Sequence, residues 1–197
     1  MKATNPKING LILAGGYSRR MGQDKALLKF NGKPQIENAY ELLQKFCAHV
    51  FISIRNDQPV GAISNHPNQY ITDALEFTGH GPISGILSAM KEYPEANWLI
   101  LACDLPFVTE ETIETLIKNR DPQKTATAFL SSTDNLPEPL CAIWEGRSYN
   151  QILKLFQENI HCPRKILLKS TPKLIPQPNP KWLTNINTPE EYNQHIL

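Results

Sequence analysis

Short apolar runs, three of which run into a glycine pair or an aspartate, alternate along this chain with stretches whose apolar residues recur at helical spacing. Ile8–Ala14 reads as a buried strand that ends at Gly15-Gly16, and Ala26–Phe30 as a short extended piece turned by Asn31-Gly32. From Pro34 to Cys47 the residues Ile36, Ala39, Tyr40, Leu43 and Phe46 keep helical spacing, and Pro34 suits a first helical turn. Val50–Ile54 is a second strand and Gln69–Thr72 a third, which ends at Asp73. Gly79-His80-Gly81-Pro82 leads into a helix over Ile83–Lys91. Trp98–Ala102 is a continuous apolar strand ending at Cys103-Asp104. Thr109 caps the next helix, with Glu110 and Glu111 in its first turn, where carboxylates suit the positive helix end. Lys124–Leu130 and Leu140–Trp144 read as further strands and Ser148–Glu158 as a helix. The Pro-rich stretch 172–180 reads as a connection. Thr188-Pro189-Glu190-Glu191 is a capping box that opens a terminal helix.

Apolar strands alternating with helices predict an α/β fold: a mostly parallel sheet covered on both faces, with ligands at the carboxyl ends of its strands. A length of 197 residues predicts one domain, or one domain with a modest insertion, and a substantial core. The formal net charge of +1 supplies no long-range attraction to nucleic acid or to a membrane surface. No apolar run is long enough to span a bilayer, and Ile8–Ala14 is too short for a signal peptide. Cys47, Cys103, Cys141 and Cys162 are widely spaced, without a zinc pattern, and predict reduced thiols in a cytoplasmic protein.

Three strand ends carry the chemistry. The first runs Gly15-Gly16-Tyr17-Ser18-Arg19-Arg20-Met21-Gly22, followed by Asp24-Lys25. Paired glycines let the backbone approach a ligand closely, and free N–H groups there bind phosphate oxygens. Arg20 and Lys25 add the positive charge that a triphosphate needs. The pattern is neither a Walker A loop nor a dinucleotide fingerprint. The second strand end is Asp104. A carboxylate closing an apolar run is costly to bury unless paired, and Mg²⁺ takes one or two carboxylates together with phosphate oxygens. The alternative is an Asp that caps the following turn. The third is Asp73, either a second carboxylate of the same site or the opening of a loop.

None of the five histidines sits in a serine or cysteine triad pattern, and His80, between glycines, reads as a loop-surface residue. A missing base is informative if the acceptor is a phosphate. A phosphate monoester is largely dianionic at neutral pH, with a second pKa of about 6, and needs no deprotonation. The site then has only to position the reactants and neutralise charge.

Leu13-Ala14-Gly15-Gly16-Tyr17-Ser18-Arg19-Arg20-Met21-Gly22-Gln23-Asp24-Lys25-Ala26-Leu27-Leu28 resembles LAGGxSxRMGxDKALL, the signature of the molybdenum cofactor guanylyltransferases and their near relatives among the Rossmann-like nucleotidyltransferases. Gly79-His80-Gly81-Pro82-Ile83-Ser84-Gly85-Ile86, Cys103-Asp104-Leu105-Pro106-Phe107 and Asn185-Ile186-Asn187-Thr188-Pro189-Glu190-Glu191-Tyr192 are similar to further segments of that family. The resemblance implies a three-layer Rossmann-like nucleotidyltransferase fold, with the nucleotide on the N-terminal half and the acceptor on the C-terminal half. It implies transfer of GMP from GTP to the phosphate of molybdopterin with release of pyrophosphate, and transient contact with other cofactor-biosynthesis proteins. Carried over by position, Leu13, Ala14, Gly15 and Gly16 cradle the nucleotide. Arg20 and Lys25 hold its phosphates, Asp73 lies in the nucleotide site, Asp104 holds Mg²⁺ and Asn187 lies on the pterin side. Pro82 and Gly85 shape the loop near base and ribose. Two features depart from the pattern. Ser53, followed by Arg55 and Asn56, stands where the family often carries a nucleotide-binding Asn, and Arg164-Lys165 is either an acceptor-phosphate contact or a solvated helix start. Cytidylyl transfer to the same pterin, nucleotidyl transfer to a sugar or alcohol phosphate, and nucleotide binding without catalysis share these motifs.

Overall fold

Six consecutive buried residues make β1 (Ile8–Leu13), and a strand buried on both faces can only be an inner strand of a covered sheet. In the computed structural model of the protein, the described residues are 8–16, 27–30, 32–58, 69–186 and 188–195. After β1 comes a small hairpin of β2 (Lys29–Phe30) and β3 (Lys33–Pro34), then α1 (Gln35–Gln44), β4 (Val50–Ile54), β5 (Tyr70–Thr72) and α2 (Pro82–Glu92). β6 (Asn97–Ala102), α3 (Glu110–Lys118), β7 (Ala126–Leu130) and β8 (Pro137–Trp144) follow. The chain continues through α4 (Tyr149–Gln157), α5 (Pro163–Lys169), β9 (Lys173–Pro176) and α6 (Pro189–His195).

Among the described residues seven strands form one sheet in the order β5-β4-β1-β6-β8-β7-β9. β5, β4, β1 and β6 are mutually parallel, β8 runs antiparallel to both neighbours, and β9 is again parallel to β7. The sheet is therefore mostly parallel, as the alternation of elements predicts. Successive side chains of a strand point to opposite faces. Ile8 and Ile12 of β1 join α1 and α3 on one side, whereas Leu11 and Leu13 join α2, α4 and α5 on the other. Two cores sandwich one sheet, which is the three-layer arrangement.

The structure departs from the sequence reading at several element ends and in one whole strand. Pro34 is the N-cap residue of α1 rather than part of its first turn. The strand that reads as Leu140–Trp144 begins at Pro137. The Pro-rich stretch contains β9, which among the described residues pairs with β7 alone, at the sheet margin. An edge strand tolerates proline because one row of its backbone groups needs no ladder partner. The terminal capping box is present: Glu191 N–H donates to Thr188 Oγ1 at 3.2 Å and Thr188 N–H to Glu191 Oε2 at 3.1 Å. Tyr192 of α6 then packs edge-on against Phe30, with ring centres 5.2 Å apart, and donates its hydroxyl to the Lys29 carbonyl at 2.8 Å.

Candidate active site

The carboxyl ends of the four parallel strands lie side by side because their registers match. Leu13 pairs with Ser53 and with Ala102, and Ile54 pairs with Thr72. The residues that follow, Ala14-Gly15-Gly16, Arg55-Asn56, Asp73 and Cys103-Asp104, therefore emerge along one edge. Of the sequence-predicted site residues, Leu13, Ala14, Gly15, Gly16, Asp73 and Asp104 stand there together. Arg20, Lys25 and Asn187 lie outside the described residues.

The glycine turn is held from behind. Ala14 N–H donates to the Ser53 carbonyl at 3.1 Å, continuing the β1–β4 ladder by one bond. Arg55 Nη1 donates to the carbonyls of Gly15 and Gly16 at 2.8 and 3.2 Å. Gln58 Nε2 donates to the Ala14 carbonyl at 3.3 Å. Arg55 Nε pairs with Asp57 Oδ1 at 2.9 Å. Ser53 is buried, and Arg55 and Asn56 are turned elsewhere: Arg55 to the glycine turn and Asn56 Nδ2 to Thr78 Oγ1 at 3.0 Å. Sequence reading missed the part played by Gln58 altogether. Its only signal was an amide three residues beyond Arg55.

Asp73 opens the loop to α2, and its backbone N–H donates to the Ile54 carbonyl at 3.1 Å. Burial pushes its carboxyl up to about 6, against the pull of Arg55 and with a further push from Asp57. Two serines of α2 fasten this loop. Ser88 Oγ accepts from Ala74 N–H at 2.8 Å and donates to the Ser84 carbonyl at 2.6 Å. Ser84 Oγ accepts from His80 N–H at 3.1 Å and donates to the Phe77 carbonyl. Gly79 and Gly81 take positive φ of 88° and 72°, which lets the chain turn sharply into the helix. Gly85 has a packing cause: a Cβ there would stand 2.1 Å from Ser53 Oγ, so α2 lies against β4 only because the side chain is missing. His80 is exposed, yet its ring centre is 3.9 Å from that of His161 and 5.0 Å from that of Phe156.

Asp104 is half-buried in the turn after β6, and its carbonyl accepts from Ile186 N–H at 3.0 Å, which docks the C-terminal segment on this strand end. β8 enters the same edge from the opposite direction. Its register against β7 shifts between Ala128 and Phe129, where Trp144 Nε1 donates to the Pro139 carbonyl at 3.0 Å. Past that irregularity Glu138 comes close enough to feel the charge of Asp104. Burial raises the Glu138 carboxyl, Arg164 opposes the rise and Asp104 adds to it. Arg164 bridges Glu138 at 3.2 Å and Asp134 at 2.9 Å, so its guanidinium already has two carboxylate partners, while Lys165 is exposed. A cleft of about 390 Å³ opens next to this strand end on the α1 and α3 face, lined by residues that include Phe30, Asn38, Leu105 and Thr109.

One rim of this edge carries the backbone N–H groups of Gly15 and Gly16, suited to phosphate oxygens, and the other carries the carboxylate of Asp104, of a type suited to a hard cation. Residues 10–173 match the MobA-like NTP transferase domain. Over 186 residues the chain is 40% identical to a molybdenum cofactor biosynthesis bifunctional protein of Synechocystis sp., covering 94% of this chain but only 52% of that protein. The chain thus spans about half the length of that relative. Over 195 residues it is 32% identical to a "probable molybdenum cofactor guanylyltransferase" of Bacillus cereus, covering 95% of each. The fold is that of molybdopterin-guanine dinucleotide biosynthesis protein A from Archaeoglobus fulgidus, with a TM-score of 0.78 at 23% identity over 96% of this chain and 97% of that one. With this sheet, this strand-end edge and these matches, the chain belongs to the molybdenum cofactor guanylyltransferase family of MobA-like NTP transferases.

Proposed function

We propose that the chain transfers GMP from GTP to the terminal phosphate of molybdopterin and releases pyrophosphate. The observation that carries this reading is the pairing of Leu13 with Ala102, which sets the Gly15-Gly16 turn and Asp104 at the ends of neighbouring strands. A phosphate-binding turn and a carboxylate so placed can address one triphosphate from two sides. In the reaction an oxygen of the acceptor phosphate forms a bond to the α-phosphorus. The bond from that phosphorus to the β-phosphate oxygen breaks, and the electron pair leaves on pyrophosphate.

The residues then take these roles. Gly15 and Gly16 receive the phosphates on their N–H groups, and Asp73 stands toward the nucleotide. Arg20 and Lys25 hold the phosphates and meet the charge that grows in the transition state. Asn187 lies on the acceptor side. Asp104 would hold Mg²⁺: it stands half-buried at the strand end next to the glycine turn, and a magnesium ion that keeps most of its waters needs one or two carboxylates only. When bound, Mg²⁺ neutralises charge on the phosphate oxygens. The dianionic acceptor arrives without a proton to lose, so no general base is assigned. The chain acts as one nucleotidyltransferase domain in the cytoplasm, nucleotide on its N-terminal half and acceptor on its C-terminal half.

The test is pyrophosphate release by purified protein with Mg²⁺, each of the four NTPs, and molybdopterin with or without molybdate. Release with GTP alone among the NTPs supports the proposal. Release with CTP keeps the acceptor and changes the nucleotide, and release only with a sugar or alcohol phosphate changes the acceptor.

A further inference from the structure

We propose that Arg55 is a positioning residue for the nucleotide: by holding the carbonyls of Gly15 and Gly16, it fixes the direction in which the glycine turn presents its N–H groups to phosphate. The proposal rests on the reading of this edge as a nucleotide site and adds a residue to it.

In a planar trans peptide the C=O and the N–H point to opposite sides. A carbonyl tethered on one side therefore aims its own peptide's N–H to the other. Gln58 tethers the Ala14 carbonyl, which belongs to the peptide carrying the Gly15 N–H. Arg55 tethers the Gly15 carbonyl, which belongs to the peptide carrying the Gly16 N–H, and it reaches the Gly16 carbonyl as well. Ala14 N–H is consumed by the sheet ladder, but among the described residues neither Gly15 N–H nor Gly16 N–H donates a hydrogen bond. Two donors are thus turned away from their tethers and left for a ligand.

Arg55 suits this task for three reasons. A guanidinium has several donors in a rigid plane, so it can serve two carbonyls and a carboxylate together. Asp57 holds Nε at 2.9 Å and fixes the plane of the group, and the side chain is only 19% exposed. Its stem also packs against the turn, since a Cβ on Gly15 would stand 3.3 Å from Arg55 Cγ. Paired glycines without such a support sample many conformations, and ordering them on binding would cost affinity. The support removes that cost before the nucleotide arrives.

The experiment is direct titration of Mg·GTP into the wild type, Arg55→Ala and Arg55→Lys, with kcat and KM for pyrophosphate release and the thermal midpoint of each protein measured alongside. Arg55→Ala is expected to weaken GTP binding and raise KM about tenfold or more, with kcat within about threefold and a midpoint close to wild type. A tenfold loss corresponds to about 1.4 kcal/mol. Arg55→Lys keeps the charge but has a single nitrogen, so it is expected to fall between the two. Equal affinity in the wild type and Arg55→Ala overturns the inference alone. A fall in kcat with unchanged KM also overturns it, because the residue would then act on the transition state. Complete rescue by Lys overturns it as well, because charge without the fork would suffice. A wild type that binds no nucleotide overturns this inference together with the functional reading.

Discussion

Asp73 stands at the end of β5 with a carboxyl that burial lifts to about 6. In the unfolded chain an Asp titrates near 3.9, approximately. Between about pH 4 and pH 6 the folded state therefore holds a proton that the unfolded state has released. Stability falls as pH rises through that window, and the loss is complete above it. Asp73→Asn is expected to melt at a higher temperature than wild type at about pH 7.5 and at the same temperature near pH 4, as read from thermal unfolding across that range. A difference that does not change with pH would mean that this carboxyl ionises at an ordinary value. An aspartate at a strand end is visible in the sequence, but its environment is not. The burial comes from packing, and the opposing charges come from the loop after β4, which reaches Asp73 only because β4 and β5 are neighbours. The same holds for Arg55 and Gln58, whose chain positions carry no mark of the glycine turn some forty residues earlier.

At the scale of elements, the helices that touch the sheet announce themselves by spacing and caps. Thr109 does cap α3, with Thr112 as its reciprocal partner: Thr109 N–H donates to Thr112 Oγ1 at 3.1 Å and Thr112 N–H to Thr109 Oγ1 at 3.4 Å. The joint between elements is less legible. Arg120, just past α3, makes a two-pronged ion pair with Glu145, just past β8, with both contacts at 2.7 Å and each side chain 2% exposed. Charges are buried at such a place only as a pair, because either alone would face desolvation without compensation. Arg120→Ala is expected to cost about 3–5 kcal/mol of folding stability, measured by urea unfolding. A cost below about 1 kcal/mol would show that the remaining carboxylate reaches water. The short strand β9 escaped sequence reading for a related reason. β9 has one buried side chain, Ile175, and its strand character comes from docking on β7 rather than from its own pattern.

At the scale of the whole molecule, the parallel registers convert distant chain segments into one edge that can hold one ligand. A ligand that binds only the folded state stabilises it by mass action. If the edge binds Mg·GTP, nucleotide at a hundred times its Kd should add about 2.7 kcal/mol. For a chain of this size that raises the thermal midpoint by about 5–10 °C. Thermal unfolding with each Mg·NTP in turn measures this, and an unchanged midpoint with GTP at millimolar concentration would count against a nucleotide site of useful affinity. The sequence by itself determined the α/β class, the two-sided burial of the inner strands, and the identity of the strand ends that carry Gly15-Gly16, Asp73 and Asp104. These follow from periodicity and from the cost of placing glycines and carboxylates at the ends of apolar runs, which are local properties of the chain. Only the tertiary structure decided that β8 runs backwards and brings Glu138 toward Asp104, that α2 lies on β4 through Gly85, and that Arg55 and Gln58 hold the glycine turn. Each of these is a contact between segments far apart in the chain, and its energy depends on distances that strand order and register set.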